Sequence, residues 1–329
     1  MRLHLIRRLL LSAVCIFFSG VILIAAHAQN STKTVKLIVG FPPGQATDSV
    51  ARLIVDKLRV ITGDTYVIDN RPGQGGSFAL GMLAKSPANG TTMMLAHMSA
   101  VATNPHLYNS VPYDSMKDFD AVGLVGDLPF VLVCNPSLPI KNLKELIEYA
   151  KANPDKLTNA SSGNGTVSHL AMEKLKRDAG IKMTHIPYKG SIAGLTDVMS
   201  GNVSVALETA SSVRSYVEAG KLRALAIGST KQIGGVFAGV PTLRELGFRD
   251  INAVTWIMLI YPTGTPKSMI NATYSALGVV MNNPEVEQEL LKIGLIPRTS
   301  KSSEEAAEYL KTEYKFWGDA VKASGVKLE

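Results

Sequence analysis

Three turns carry residue types that could hold a small anion. The first, "FPPGQATD" from Phe41 to Asp48, ends an apolar run and opens a helical pattern. Pro42 and Pro43 stiffen the turn and donate no amide hydrogen, and Gly44 permits close backbone approach. The helix that follows begins with free N–H groups at its positive dipole end. The same composition suits an ordinary turn in which Asp48 caps its own helix. The second turn, "ASSGNGTVSHL" from Ala160 to Leu170, sets small hydroxyl and glycine residues between a strand end and a helix start, the make-up of an anion cradle. The third, "RPGQGGSF" from Arg71 to Phe78, occupies a similar place, although glycine turns of this kind are ordinary loop punctuation.

Other chemistries find little support in the residues. Gly163-x-Gly165-x-x-Ser168 falls one glycine short of the dinucleotide fingerprint, and "MTHIPYKG" offers no acidic residue for a ribose, so no cofactor is expected. Outside the first 28 residues the histidines are His97, His106, His169 and His185. They have no zinc-helix spacing, and there is no cysteine cluster, so no metal is expected. His169 reads as a helix residue supporting the "SSGNG" loop. Neither a Gly-x-Ser-x-Gly elbow nor a phosphate loop ending in Gly-Lys-Ser/Thr occurs. Cys134, in "PFVLVCNP", reads as a buried strand residue.

The elements that must position these turns alternate along the chain. "TVKLIVGF", "TYVIDN" and "TTMMLAHM" have strand composition, and "DSVARLIVDKLRVI" and "SFALGMLAKS" have helical composition. A second series runs from "FVLVCNP" through "KLTNASS", "MTHIPYKG" and "VSVALE" to "LRALAIGS", with helices between. "TWIMLIYPTGTP" and three C-terminal helical patterns follow. Repeated strand–helix units predict an α/β fold of mostly parallel sheets flanked by helices. About 300 residues is long for one core and suggests two lobes. No linker separates them, which predicts crossover strands: lobe 1 over residues 29–125, lobe 2 over 126–225, and a return to lobe 1 over 226–329. A cleft between such lobes is a standard place for a small ligand.

The N-terminus indicates the compartment. Arg2, Arg7 and Arg8 precede an uncharged apolar run that ends in "AHA", so residues 1–28 read as a secretory signal cleaved before Gln29. Loss of those three arginines lowers the formal charge from +7 to +4, without a basic tract that would suggest nucleic acid. Cys134 alone is left of the two cysteines, so no internal disulfide can form.

"VGFPPGQATD", "IDNRPGQGG", "NPHLYNSVPYDSMKDFDAVGLVG", "ASSGNGTVSHL", "THIPYKG", "GKLRALAIGST", "VPTLRELG" and "YPTGTP" follow one another in this order. Together they resemble the Bug family of extracytoplasmic solute receptors, the binding component of tripartite tricarboxylate transporters, from about residue 33 to the C-terminus. The resemblance implies a two-lobed periplasmic binding protein of type II-like architecture, with two crossover connections and a ligand cleft that closes on a small carboxylate. Carried over by motif, the implied ligand-binding residues are Phe41, Pro43, Gly44, Gln45 and Asp48, then Ser99 after the third strand. Ser162, Gly163, Gly165, Thr166 and His169 follow in the second lobe, and Glu208 and Thr209 in "VALETASS". Three positions depart from the family pattern: Gln45 where a second glycine is usual, Glu208 where aspartate is common, and Ala79 where glycine is common. They place ligand identity in question.

The expected function is that of a receptor, not an enzyme. It would bind a di- or tricarboxylate, an aromatic carboxylate or an acidic amino acid as a periplasmic monomer and deliver it to membrane permease subunits. A sensor docking to a signalling receptor is an alternative that the residues do not separate from transport. A secreted enzyme would need a matched nucleophile and base, and only Asp48, His169 and Glu208 stand as scattered candidates.

Overall fold

The computed structural model describes residues 33–229, 232–251 and 253–324; the signal segment expected over residues 1–28 lies outside them. In chain order the elements are β1 (Thr34–Val39), α1 (Ala46–Thr62), β2 (Thr65–Asn70), α2 (Ser77–Ala84), β3 (Thr92–His97), the short α3 (Asn104–Leu107) and β4 (Phe119–Cys134). Next come α4 (Leu143–Ala152), β5 (Thr158–Ser161), α5 (Val167–Ala179), β6 (Thr184–Pro187), α6 (Ser191–Ser200), β7 (Val205–Thr209), α7 (Ala210–Glu218) and β8 (Arg223–Ile227). The chain ends with β9 (Val254–Pro262), α8 (Lys267–Met281), α9 (Pro284–Lys292), β10 (Ile296–Pro297) and α10 (Ser303–Ser324). No helix among the described residues is long and apolar enough to cross a membrane.

The strands follow the order β2-β1-β3-β9-β4-β7-β5-β6, with β8 and β10 also paired to β4. The parallel arrangement expected of each lobe holds for β2-β1-β3 and for β6-β5-β7. The strands between these trios run antiparallel to their neighbours, so the sheet is mixed. Along β1 the side chains alternate as the pleat requires: Leu37 and Val39 enter one apolar layer and Ile38 the other. The central strand β3 is buried at every residue, whereas the outermost strands β2 and β6 carry partly exposed and polar positions, which blunts them as templates for further pairing.

Strand β4 joins the two lobes. Through Pro129 it pairs with β9, and from Phe130 it pairs with β7 and β8. A proline suits that change of partner, since it has no N–H for the ladder. Two returning segments meet β4 here: the Phe130 amide donates to the Ala253 carbonyl at 3.0 Å, the Gly228 amide to the Phe130 carbonyl at 2.7 Å, and the Ala253 amide to the Gly228 carbonyl at 2.8 Å. A Cβ on Gly228 would lie 2.6 Å from the Ala253 Cβ, so only glycine permits this crossing. The sequence pattern starts this strand at Phe130, but the structure extends it back to Phe119. Half-buried Asp120 and Asp127 break the apolar run there, and Arg298 pairs Asp127 at 2.8 Å.

The first helix illustrates how the fold aims a loop. Val50, Ala51, Ile54, Val55 and Leu58 form its buried face, and each large apolar side chain so buried contributes roughly 1.5–3 kcal/mol. Gly63, left-handed at φ 73°, ends the helix and bonds back to Arg59. Packing therefore fixes the helix axis, and the N-terminus at Ala46 faces the cleft.

Candidate functional site

Two neighbouring cavities lie between the lobes. The inner one, with about 370 Å³ of space including its mouth, is lined by Phe41, Gln45, Ala46, Thr47 and His97 on one side. Leu128 and Phe130 of β4 form its back, and Ser162, Thr166, Ser168, Ser191, Glu208, Thr209 and Ser212 form the other side. The outer cavity, about 610 Å³ measured the same way, shares Phe41 and Ser162 with it and is bordered by the "PGQG" segment 72–75, Tyr108, Gly163, Asn164 and residues 187–189.

Four helices begin at the inner cavity: α1 through Ala46 and Thr47, α5 through Thr166 and Ser168, α6 through Ser191, and α7 through Thr209 and Ser212. None of the four has a side-chain cap on its first amides. Of the helices that do not begin at this cavity, α4 and α9 are capped by Asn142 and Asn283, whereas α2, α3 and α8 also lack a side-chain cap, so it is the convergence of the four starts rather than the missing caps that sets this cavity apart. Each uncapped start presents N–H groups and the positive end of a helix dipole, worth about 0.3–1 kcal/mol to a nearby anion and up to ~2 kcal/mol when partly buried. Among the described residues, neither lysine nor arginine lines this cavity.

In the first lobe, the turn at Phe41–Asp48 is braced from within. Asp48 is 1% exposed and accepts from the Gly44 amide at 2.8 Å, from Arg52 at 2.8 and 3.0 Å, and from Asn70 at 3.0 Å. Asn70 also donates to the Phe41 carbonyl at 2.9 Å, tying both ends of the turn to β2. Burial alone would raise the Asp48 carboxyl, but Arg52, the Gly44 amide and Asn70 together hold it below its ordinary value. Phe41 packs edge-on against His97, 4.9 Å between centroids. Burial depresses His97 to about 3, so the ring is neutral. Its Nδ1 accepts from the Ser99 amide at 3.2 Å, which leaves the proton on Nε2.

In the second lobe, a carboxylate lies in the cavity wall itself. Glu208, at the end of β7, is 2% exposed. Its oxygens accept from Ser162 Oγ at 2.6 and 2.7 Å and from Ser168 Oγ at 2.9 Å. Burial pushes this carboxyl up to about 7, against the opposing pull of those hydroxyls and of the Thr209 and Ser162 amides. Behind the loop, the Gly165 amide donates to His169 Nδ1 at 3.2 Å, and His169 stacks on His185 at 4.2 Å. Ligand-type atoms of His169, Glu173 and His185 lie within 4.8 Å of one another, a trio that chain spacing does not reveal. Lys176 already occupies Glu173 and the Met183 carbonyl, and burial, helped by His169, lowers His185 to about 4.

Phe41, Gln45, Ser162, Thr166, Glu208 and Thr209 line the inner cavity, and Gly163 the outer one. Pro43, Gly44, Asp48, Gly165 and His169 line neither and shape the loops from behind. Ser99 is fully buried and reaches the cavity only through its bond to His97. Sequence reading missed Thr47, Ser191 and Ser212. Ser191 follows Gly190 at a strand–turn–helix junction, the same signal that marks the other two loops. The lobes also touch: Tyr108 Oη donates to the Asn164 carbonyl at 3.1 Å. The Gln45 amide nitrogen lies 2.0 Å from where a Cβ on Gly190 would sit, and Gly190 has φ 129°, so glycine is required there twice over.

Comparison with known proteins gives this arrangement its context. Residues 50–326 match the tripartite tricarboxylate transporter family receptor. BugT of Bordetella pertussis is 31% identical over 99% of this chain and 100% of its own. An R. palustris protein solved with adipate superposes with a TM-score of 0.86 at 30% identity, covering 91% of this chain and 99% of that one. MatC from Rhodopseudomonas palustris with bound malate gives 0.82 at 27% identity, covering 88% and 99%. A cleft between two α/β lobes, ringed by uncapped helix starts, thus sits in a chain that belongs to the tripartite tricarboxylate transporter receptors, the Bug-type solute-binding proteins.

Proposed function

We propose that this protein is a periplasmic receptor that closes on a small organic carboxylate and presents it to the membrane permease subunits of a tripartite tricarboxylate-type transporter. The observation that carries this reading is the convergence of four uncapped helix N-termini on one cavity that no lysine or arginine among the described residues lines. Such a cavity attracts an anion through amides and hydroxyls and leaves it free to depart, as transport requires. Phe41, Gln45, Ser162, Thr166, Glu208 and Thr209 are the proposed contacts, with Gly163 at the border of the outer cavity and Gly44 and Gly165 shaping the loops from behind. Pro43, Asp48, Ser99 and His169 hold those groups in place. Lobe closure about the crossing at Phe130, Gly228 and Ala253 is the working step, and the mature chain, cleaved before Gln29, acts as a monomer. The adipate and malate held by related receptors fit this ligand class.

Catalysis has a weak basis in the same geometry. Ser161 and His185 share a hydrogen bond at 2.7 Å, but neither lines either of these two cavities. Ser162 and Ser168 both donate to Glu208, so the one carboxylate is shared between two hydroxyls instead of being aimed at a single nucleophile.

A thermal-shift panel of mono-, di- and tricarboxylates, neutral sugars and polyamines tests the reading. At least one carboxylate should stabilise the protein, by about 2.7 kcal/mol at a hundredfold excess over Kd. Stabilisation by neutral or cationic compounds alone would overturn it.

A further inference from the structure

We infer that the ligand carries an ammonium group as well as a carboxylate, and that Glu208 receives that ammonium. The inference rests on the receptor reading and names the ligand class of the same cavity. Glu208 sits in the cavity wall, 2% exposed, and its side-chain partners are two serine hydroxyls, with no cation among the described residues within 4 Å. The remaining ionisable group in the lining, His97, is a neutral ring. Ser162 and Ser168 already supply neutral donors to both carboxylate oxygens. What Glu208 lacks is therefore charge, not another hydroxyl.

A ligand with carboxylates alone would bring negative charge beside a buried acid and would bind only while that acid stayed protonated. An aminocarboxylate resolves both demands. Its carboxylate meets the four helix starts, and its ammonium meets Glu208, where a charge pair removed from water is strong only with good hydrogen bonding on both sides. The two serines provide that bonding on the protein side. The raised proton affinity of Glu208 in the ligand-free cavity agrees with a group that awaits a cation.

Matched pairs test this by titration calorimetry on the mature chain: succinate against aspartate, glutarate against glutamate, and adipate against 2-aminoadipate. In every pair that binds, the amino member should bind at least tenfold tighter. Glu208→Gln should weaken the amino member tenfold or more and strengthen its unsubstituted partner several-fold. Equal or tighter binding of the unsubstituted acid, or of the hydroxy acid malate over aspartate, overturns the ammonium assignment and leaves the receptor reading standing. Failure of every acid in the panel, together with the wider carboxylates of the thermal-shift set, overturns both. The comparison within wild-type protein decides the matter even where Glu208→Gln folds poorly.

Discussion

Asp48 and Glu208 are buried to nearly the same degree, 1% and 2% exposed, yet they are held in opposite ways. Asp48 turns back into its own loop and meets a guanidinium, an amide and an asparagine, and its proton affinity falls. Glu208 stands in the cavity wall, meets hydroxyls and amides only, and its proton affinity rises to about 7. Desolvation acts on both in the same direction but weighs more heavily on Glu208, and Asp48 has in addition a cation to offset it. A carboxylate neutralised within the protein serves architecture, and one left without a counter-charge in a cavity is available to a ligand.

The largest effect that would break this contrast is at Asp48. Asp48→Ala strands Arg52, the Gly44 amide and Asn70 together. Removing one member of a buried charge network costs about 3–5 kcal/mol, but Arg52 is 54% exposed and water recovers part of that. A loss of roughly 2–3 kcal/mol in urea unfolding is expected. A loss below 0.5 kcal/mol would show that the Phe41–Asp48 turn does not depend on its brace.

The brace also shows where sequence reading stops. "FPPGQATD" and "ASSGNGT" are legible as turns at a strand–helix junction, and both reach the cavity, because a strand end, a stiff or glycine-rich bend and a helix start are all local features. Asp48 as a buttress is not legible, since its partner Asn70 lies 22 residues away on another strand. The extent of β4 is hidden by Asp120, Asp127 and the glycines within it, whose compatibility with a strand depends on Arg298 and on register shifts against β9. The cavity is likewise assembled from single hydroxyls at Thr47, Ser191 and Ser212, each unremarkable in its own segment and meaningful only once four helix starts converge.

A smaller effect sharpens the contrast through pH. The folded-state value for Glu208, about 7, lies above its ordinary 4.5. Between those values the folded protein binds the extra proton, so this group's stabilisation is complete below about 4.5 and disappears as pH rises through 7. Buried His97 and His185, depressed to about 3 and 4, act with the opposite sign and lose stability as pH falls below 6.5. Only the difference between wild type and Glu208→Gln isolates the carboxyl. That variant should match the wild type near pH 4.5 and exceed it by on the order of 3 kcal/mol at pH 8. A constant difference across the range would mean that Glu208 stays ionised throughout.

The smallest effect converts one carboxylate into the other. Arg52→Leu leaves Asp48 with the Gly44 amide and Asn70 as donors but no cation, which is the situation of Glu208 between its serines and amides. Because Arg52 is half exposed, the loss near neutral pH should be only about 0.5–1 kcal/mol. The sign of the acid response is more telling. In the wild type the depressed Asp48 stabilises above pH 3.8 and loses that contribution as pH falls through its folded value. With the guanidinium gone, desolvation acts against two neutral donors, and the carboxyl should rise above 3.8. The Asp48 contribution would then be present at low pH and lost as pH increases. Urea midpoints of the two proteins between pH 3 and 6 should therefore converge toward the acid end; parallel profiles would assign the depression of Asp48 to Gly44 and Asn70 rather than to the guanidinium.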